Sequence, residues 1–357
     1  MRADFERYLD YETGKLYNDC MAVGKVIFMD SASDNVFVNQ GIEWALAESL
    51  REGEAALYLW SNDRTVVIGR NQDAFTECRV DALESSGGLL ARRLSGGGAV
   101  WHDSGNLNFT FVLREPDFDK ELDFAVLSDA LAKLGIHAER SGRNDLEAGG
   151  AKFSGNAYYR RDGVMLHHGT LLLFTSPDEV ERFLTPPEVK FSGKGVKSVR
   201  SRVAPLSAVK PDITKEEVAA ALRESFRQAF PDAVAEVRQP LSLGAEQVMK
   251  WTAFFASDEW RYGRKAERNA RVTTELFGRP AEFSAEVVSG VLSSVKVNSD
   301  SLHSDKVRAV VAALEGACAD GVAADFADGL TLDEEERAEA KAEAERIAKM
   351  FLEGEDV

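Results

Sequence analysis

Three consecutive glycines, Gly96-Gly97-Gly98, lie between two β-like runs, Leu89 to Arg93 and Asn106 to Leu113. No other feature constrains the chain as strongly. Backbone without Cβ atoms can take positive φ and approach a ligand closely. Successive N–H groups in such a turn can converge on an anion. Arg92 and Arg93 precede the loop. They alternate across a strand, so one of them faces the loop and can offer a phosphate two parallel hydrogen bonds. His102-Asp103 follows. The pattern is neither the Walker loop nor the spaced dinucleotide fingerprint. A glycine turn can be a plain hairpin connection, but the arginine pair and the His-Asp pair favour a ligand site.

The rest of the chain reads as interspersed helices and short strands. Lys25–Met29, Ala55–Trp60, Thr65–Gly69, Lys152–Tyr159 and Val164–Phe174 are apolar and β-branched, as strands are. Ala55–Trp60 and Thr65–Gly69 read as a pair around Ser61-Asn62-Asp63-Arg64. Asn35–Arg51 places Ile42, Ala45, Leu46 and Leu50 on one helical face. Phe75–Ser85 and Phe124–Leu134 read as helices ended by glycine, and Thr214-Lys-Glu-Glu217 has the capping-box spacing. Most strands follow one another directly. That predicts an α+β fold with a mixed or antiparallel sheet flanked by helices, rather than a doubly wound parallel one.

Gln239-Pro240 suggests a boundary. The expected division is a leader over 1–24, a catalytic domain over 25–240, a small α+β accessory domain over 241–330 and an acidic helical tail over 331–357. The tail is rich in Ala, Glu, Lys and Arg, and it reads as a solvated helix. No run of about 18 apolar residues occurs, which predicts no membrane span. Cys20, Cys78 and Cys318 are far apart, so a disulfide framework is not expected and a cytoplasmic setting fits. The net charge of −17 disfavours nonspecific binding to nucleic acid, while leaving room for a local basic site.

Three further stretches carry chemistry. Arg143-Asn144-Asp145 is followed by Lys152, which shares an alternating strand face with Ser154, Asn156 and Tyr158. A lysine on such a face needs an anionic partner or solvent. His167-His168 suggests metal, but adjacent strand residues point to opposite faces. One histidine is then expected in the site and the other in a structural role. Ser192 to Arg202 combines small residues with four cations, which suits a loop that closes over an anion. A surface loop is the plainer alternative.

Four segments, in this order, resemble the lipoate-protein ligase A family in its two-domain form. They are Trp60 to Arg70, Arg92 to Asp103, Ser141 to Asp145 with Lys152 to Tyr158, and His167 to Thr170 with Ser198 to Arg202. The resemblance covers residues 25 to 240 well and continues weakly through Trp260-Arg-Tyr-Gly263. It implies the biotin/lipoate ligase fold with a small accessory domain. It also implies an acid–amine ligase that uses ATP to make lipoyl-AMP and then modifies a lysine of a lipoyl-domain protein.

By the same resemblance, Arg93, Gly98, Ala99, Val100, Trp101, Asn144, Asp145 and Lys152 hold ATP, with Lys152 catalytic. Trp60, Arg70, Ser95, Gly96, Lys152 and His168 line the lipoate site. Gly193, Lys194, Gly195, Lys197, Ser198 and Arg200 cover the adenylate. Mg²⁺ accompanies ATP, and Asp145 is the candidate metal ligand. Lipoate or octanoate is the substrate. The acceptors are 2-oxoacid dehydrogenase E2 subunits and the glycine cleavage H protein, and the enzyme is expected to be a monomer. The alternative is an ATP-independent octanoyl or lipoyl transferase, in some relatives with a cysteine nucleophile. Cys78 reads instead as a small buried residue.

Overall fold

The computed structural model describes residues 9–10, 15–16, 23–141, 144–184, 203–262, 270–288, 290–318, 321–322 and 330–353. Of the leader, a short antiparallel pair, β1 (Leu9–Asp10) and β2 (Lys15–Leu16), and residues 23–24 are among them, and the rest lies outside. So do Gly193, Lys194, Gly195, Lys197, Ser198 and Arg200, which were expected to cover the adenylate.

The strands that follow are β3 (Lys25–Asp30), β4 (Glu54–Trp60), β5 (Thr65–Ile68), β6 (Leu89–Arg92), β7 (Val100–His102) and β8 (Asn106–Arg114). Next come β9 (Glu139–Ser141), β10 (Asp145–Ala148), β11 (Ala151–Arg161), β12 (Val164–Leu172) and β13 (Val234–Val237). An eight-stranded sheet runs β13-β3-β4-β8-β12-β11-β10-β9. Only the β13–β3 and β3–β4 pairs are parallel. The predicted mixed sheet is thus present.

Alternation along β3, β4 and β8 serves two cores. Val26, Phe28, Leu57, Phe109 and Phe111 pack under the helices Lys120–Lys133 and Lys215–Ala229. Ile27, Met29, Tyr58 and Val112 face the helix Val36–Ser49. Each helix has a starting signal. Asn35 accepts from the Phe37 and Val38 N–H groups, Asp119 from Glu121 and Leu122, and Thr214 forms the expected capping box with Glu217.

β4 and β5 do not pair with each other. β5 leaves the large sheet and forms a three-stranded one, β6-β5-β7. The reason lies in the turn: Asn39 Nδ2 donates to Ser61 O and Asn62 Oδ1, pinning the chain as it departs. The helix expected over Phe75–Ser85 is two pieces, Ala74–Glu77 and Val80–Ser85. At the break, Cys78 bridges Leu184 and the Arg79 N–H donates to Phe183 O, so these backbone groups serve another segment.

The C-terminal region holds β14 (Ala270–Leu276), β15 (Arg279–Val288) and β16 (Val291–Ser299), an antiparallel sheet covered by the helices Ser304–Leu314 and Glu334–Glu353. Packing divides the chain differently from the reading in two places. The helix Ala245–Ala256 lies against Val36–Ser49, with Trp251 edge-on to Trp44 at 5.6 Å, and so joins the first region rather than the accessory one. The acidic tail is not a solvated helix. Ala340, Ala344, Ile347 and Ala348 are buried in the C-terminal core, because their spacing makes one apolar stripe on an otherwise charged helix. Among the described residues, no helix is long and apolar enough to cross a membrane.

Candidate active site

Two buried arginines precede the glycine loop, and each grips carbonyl groups. Arg92 donates to the carbonyls of Gly69, Arg70, Gln72, Trp260 and Arg261. Arg93 turns to the other face, as alternation requires. Its Nη2 donates to Gly96 O and Gly98 O at 2.7 Å, its Nη1 to Val67 O, and its Nε to Ser95 Oγ and Gly96 O. The fork expected to hold a phosphate here holds the loop itself. Burial lowers the pKa of both guanidinium groups to about 10, so both remain charged at neutral pH. Gly97 has φ +91, in the left-handed region, and its N–H donates to Ser301 O of the C-terminal region. A Cβ on Gly96 would lie 2.0 Å from that same carbonyl.

A directional chain of hydrogen bonds runs beneath the loop. Arg93 Nε donates to Ser95 Oγ, and Ser95 Oγ lies 2.6 Å from His168 Nε2. His168 Nδ1 lies 2.8 Å from Glu43 Oε1. From the other side, Trp60 Nε1 donates to Thr110 Oγ1, which donates to the same Glu43 oxygen at 2.7 Å. The Glu43 carboxylate can only accept. His168 Nδ1 therefore carries a proton and donates to it.

Lys152 stands on β11 in register with Glu147 of β10. Its Nζ is 2.9 Å from Asp145 Oδ1, and both side chains are about one third exposed. The β10–β11 register shifts between Leu146 and Glu147. The bulge sends Phe153 into the core and leaves Lys152 Nζ 3.6 Å from the Cβ position of Gly155. Strict alternation with Ser154, Asn156 and Tyr158 is broken as a result.

These groups meet at a cavity of about 230 Å³. Trp60, Arg93, Gly97, Gly98, Ala99, Val100, Asn144, Asp145, Lys152 and His168 line it. Arg70, Ser95, Gly96 and Trp101 do not. Arg70 binds the Tyr159 hydroxyl, Ser95 lies under His168, Gly96 abuts Ser301, and Trp101 stacks on Phe183. Gln40, Glu43, His102, Asn108, Asn156, Arg279, Asp300 and Leu302 also line the cavity and were not singled out for the site. His102, just after the glycine loop, and Asn156, on the Lys152 strand, had a local signal.

Three buried polar atoms that the first region gives to the wall have no partner among the described residues: Gln40 Oε1, His102 Nε2 and Asn108 Nδ2. The state of His102 can be deduced. Asn39 Nδ2 donates to Asn62 Oδ1, which turns the Asn62 amide nitrogen toward His102 Nδ1 at 2.9 Å. Nδ1 then accepts and Nε2 carries the hydrogen. Burial first, with Arg93 and His168 adding to it, depresses the imidazole to about 3 and keeps it neutral. The wall thus offers unused donors and an acceptor to a polar guest or water.

Among the described residues no three His, Cys, Asp or Glu side chains cluster for a metal ion. Asp145 and Asp300 nevertheless line the cavity, and Asp300 Oδ1 is buried without a partner among the described residues. Magnesium on a nucleotide keeps water and phosphate oxygens and takes one or two carboxylates, so this donor set suits it. Cys78 is elsewhere, buried behind the small sheet. Burial pushes its thiol up to about 12.

Residues 35–227 match the lipoyl protein ligase A/B catalytic domain family. The chain is 36% identical over 286 residues to lipoate-protein ligase A of Psychrobacter cryohalolentis, covering 78% of this chain and 84% of that protein. It superposes on Plasmodium falciparum LipL1 in complex with lipoate with a TM-score of 0.68 and 25% identity, covering 80% of this chain and 88% of that one. A lipoate-protein ligase A bound with ATP gives a TM-score of 0.56 and 27% identity, over 67% of this chain and 98% of that one.

Proposed function

The chain belongs to the lipoyl protein ligase A/B family, and on that premise we propose how its residues carry out ATP-dependent lipoate ligation. The lipoate carboxylate attacks the α-phosphorus of ATP, forming lipoyl-AMP and releasing pyrophosphate. The amine of an acceptor lysine then attacks the mixed anhydride, forming the amide and releasing AMP. The observation that carries this reading is that one cavity gathers Lys152, the glycine loop and the Asn144–Asp145 turn from three separate segments.

Both reactants of the first step are anions, so repulsion between them dominates the barrier. Lys152 is placed to exchange Asp145 for the lipoate carboxylate and the α-phosphate, aligning and neutralising both. Gly97, Gly98, Ala99 and Val100 border the nucleotide, and Arg93 contributes by holding their backbone in place. Asp145 and Asp300 would hold a magnesium ion on the phosphates, where it supplies charge neutralisation. Trp60, Glu43 and His168 border the acyl group. No side chain need act as a nucleophile.

We assign residues 23–262 to the catalytic unit and 270–353 to the accessory unit, on the packing of the helix Ala245–Ala256 and of the tail. Lipoyl domains of 2-oxoacid dehydrogenase E2 subunits and the glycine cleavage H protein are the acceptors proposed. A monomer in the cytoplasm fits this reading. Incubating the protein with ATP, lipoate and a lipoyl domain should release pyrophosphate only when lipoate is present and add one lipoyl mass to the domain. Lipoylation that proceeds from a carrier protein without ATP would instead favour the transferase.

A further inference from the structure

His167 is not in the cavity, yet it is tied to it by an unbroken series of hydrogen bonds. Its ring is wholly buried, stacked on Tyr158 at 4.3 Å and bordered by Phe109, Phe111 and Phe124. Nδ1 lies 2.8 Å from Asp123 Oδ2, and Nε2 lies 3.0 Å from Asn156 Oδ1. Asn156 Nδ2 donates to Asn144 O at 2.9 Å. Asn144 is also held from its side chain, where Lys120 Nζ donates to Oδ1 at 2.9 Å. The next residue, Asp145, is the partner of Lys152.

The proton order follows from what each atom can do. The Asn144 carbonyl only accepts, so the Asn156 amide nitrogen must face it and Oδ1 must face His167. His167 Nε2 must then donate. In a neutral imidazole Nδ1 is left as an acceptor, and only a protonated Asp123 can serve it. The alternative is an imidazolium facing an ionised Asp123. Burial raises the Asp123 carboxyl well above its ordinary range and lowers the imidazole well below its own, so both groups favour the neutral arrangement.

We propose that Asp123 and His167 are positioning residues for adenylation, which act through Asn156 to hold the Asn144–Asp145 turn against Lys152. The neutral acid donates to Nδ1, which keeps the proton on Nε2 and fixes the Asn156 amide in one orientation. A buried polar chain that ended in the core could be replaced by apolar side chains at little loss of stability. This one ends at the cavity wall. The proposal rests on that cavity being the lipoate-activating site.

Asp123→Asn supplies an amide N–H to Nδ1 in place of the acid O–H. It should keep most of the parent kcat for lipoate-dependent pyrophosphate release. Asp123→Leu removes the donor and frees the imidazole to change tautomer. It should lower kcat by up to about 100-fold, the scale of a small misplacement of reacting groups, with KM for lipoate close to that of the parent. If Asp123→Leu does not fold, Asn156→Asp takes its place, since it still accepts from His167 and no longer donates to Asn144. Nitrogen-15 NMR of the intact parent should show His167 protonated on Nε2 only. Equal loss in Asp123→Asn and Asp123→Leu, parent-like kcat in the disrupting variant, or a doubly protonated His167 would overturn the proposal. A parent that releases no pyrophosphate defeats the ligase reading instead, and the NMR result then still judges the proton order.

Discussion

The cavity and the C-terminal unit bury opposite kinds of side chain. Around the cavity the buried set is largely polar, with Glu43, Arg93, Ser95, His102, Asn108, Asn156 and His168 beside Trp60, Val67 and Ala157. In the C-terminal unit it is Val272, Leu276, Phe283, Leu292, Val310 and Ile347, with few polar groups among them. A polar wall must be hydrogen-bonded to be tolerated at all, and what it gains is orientation. An apolar core orients nothing and supplies stability in proportion to the area removed from water. The two regions meet where Gly97 N–H donates to Ser301 O, and Arg279, Asp300 and Leu302 reach the cavity from the C-terminal side. The C-terminal unit therefore supplies part of the wall of a cavity lined mainly by the first region.

The largest expected effect tests the apolar side of that contrast. Phe283→Ala empties a fully buried site and should cost about 3–5 kcal/mol, read from denaturant unfolding. Its adenylation rate per folded molecule should stay near that of the parent. A collapse of that rate without loss of stability would blur the division of labour.

Lys152→Ala is the mirror experiment. It should reduce lipoate-dependent pyrophosphate release by about 100- to 1000-fold. The melting temperature should barely move, because a partly exposed ion pair contributes at most about 1 kcal/mol. Large destabilisation would make Lys152 a structural residue.

Glu77 sits at the junction. Its carboxyl hydrogen-bonds the Asn298 side chain, and Asp300 and Asp73 lie near; burial, the largest cause, raises it to about 7 from 4.5. The folded state thus holds this proton more tightly than the unfolded chain does. The linked stability is fully present below pH 4.5 and is lost as pH rises through about 7. Glu77→Gln should flatten that decline in denaturation series run at about pH 5 and about pH 8. An unchanged slope would remove Glu77 from the junction's energetics.

Cys78→Ala should be the mildest change. It should retain ligase activity, with a loss of about 1 kcal/mol in unfolding. Loss of lipoyl transfer with the fold intact would revive the cysteine route.

Much of the fold is legible where the signal is local. The capping box at Thr214 and the strands around the glycine loop depend on neighbours in the chain, and they stand close to where their residues predict. The opposed faces of His167 and His168 follow from strand alternation, and they separate one buried with Asp123 from one bordering the cavity. Glu43 was not legible, because it lies on a helix that was read for its apolar face and its partners come from β8 and β12. The helix break at Cys78 needed Phe183 and Leu184, about one hundred residues away in the chain.

By itself the sequence determined the α+β class, the glycine loop, the lysine strand and the family, because each rests on residue types at short spacing. The tertiary structure alone decided that Arg93 grips its own loop, that the acidic tail joins the C-terminal core, that a bulge redirects Lys152, and that Asp300 and Arg279 complete the wall. The reason is physical. A guanidinium, a charged helix or a lone aspartate can be satisfied by many partners. Only the packed chain brings one of them within hydrogen-bonding distance and keeps water from supplying the rest.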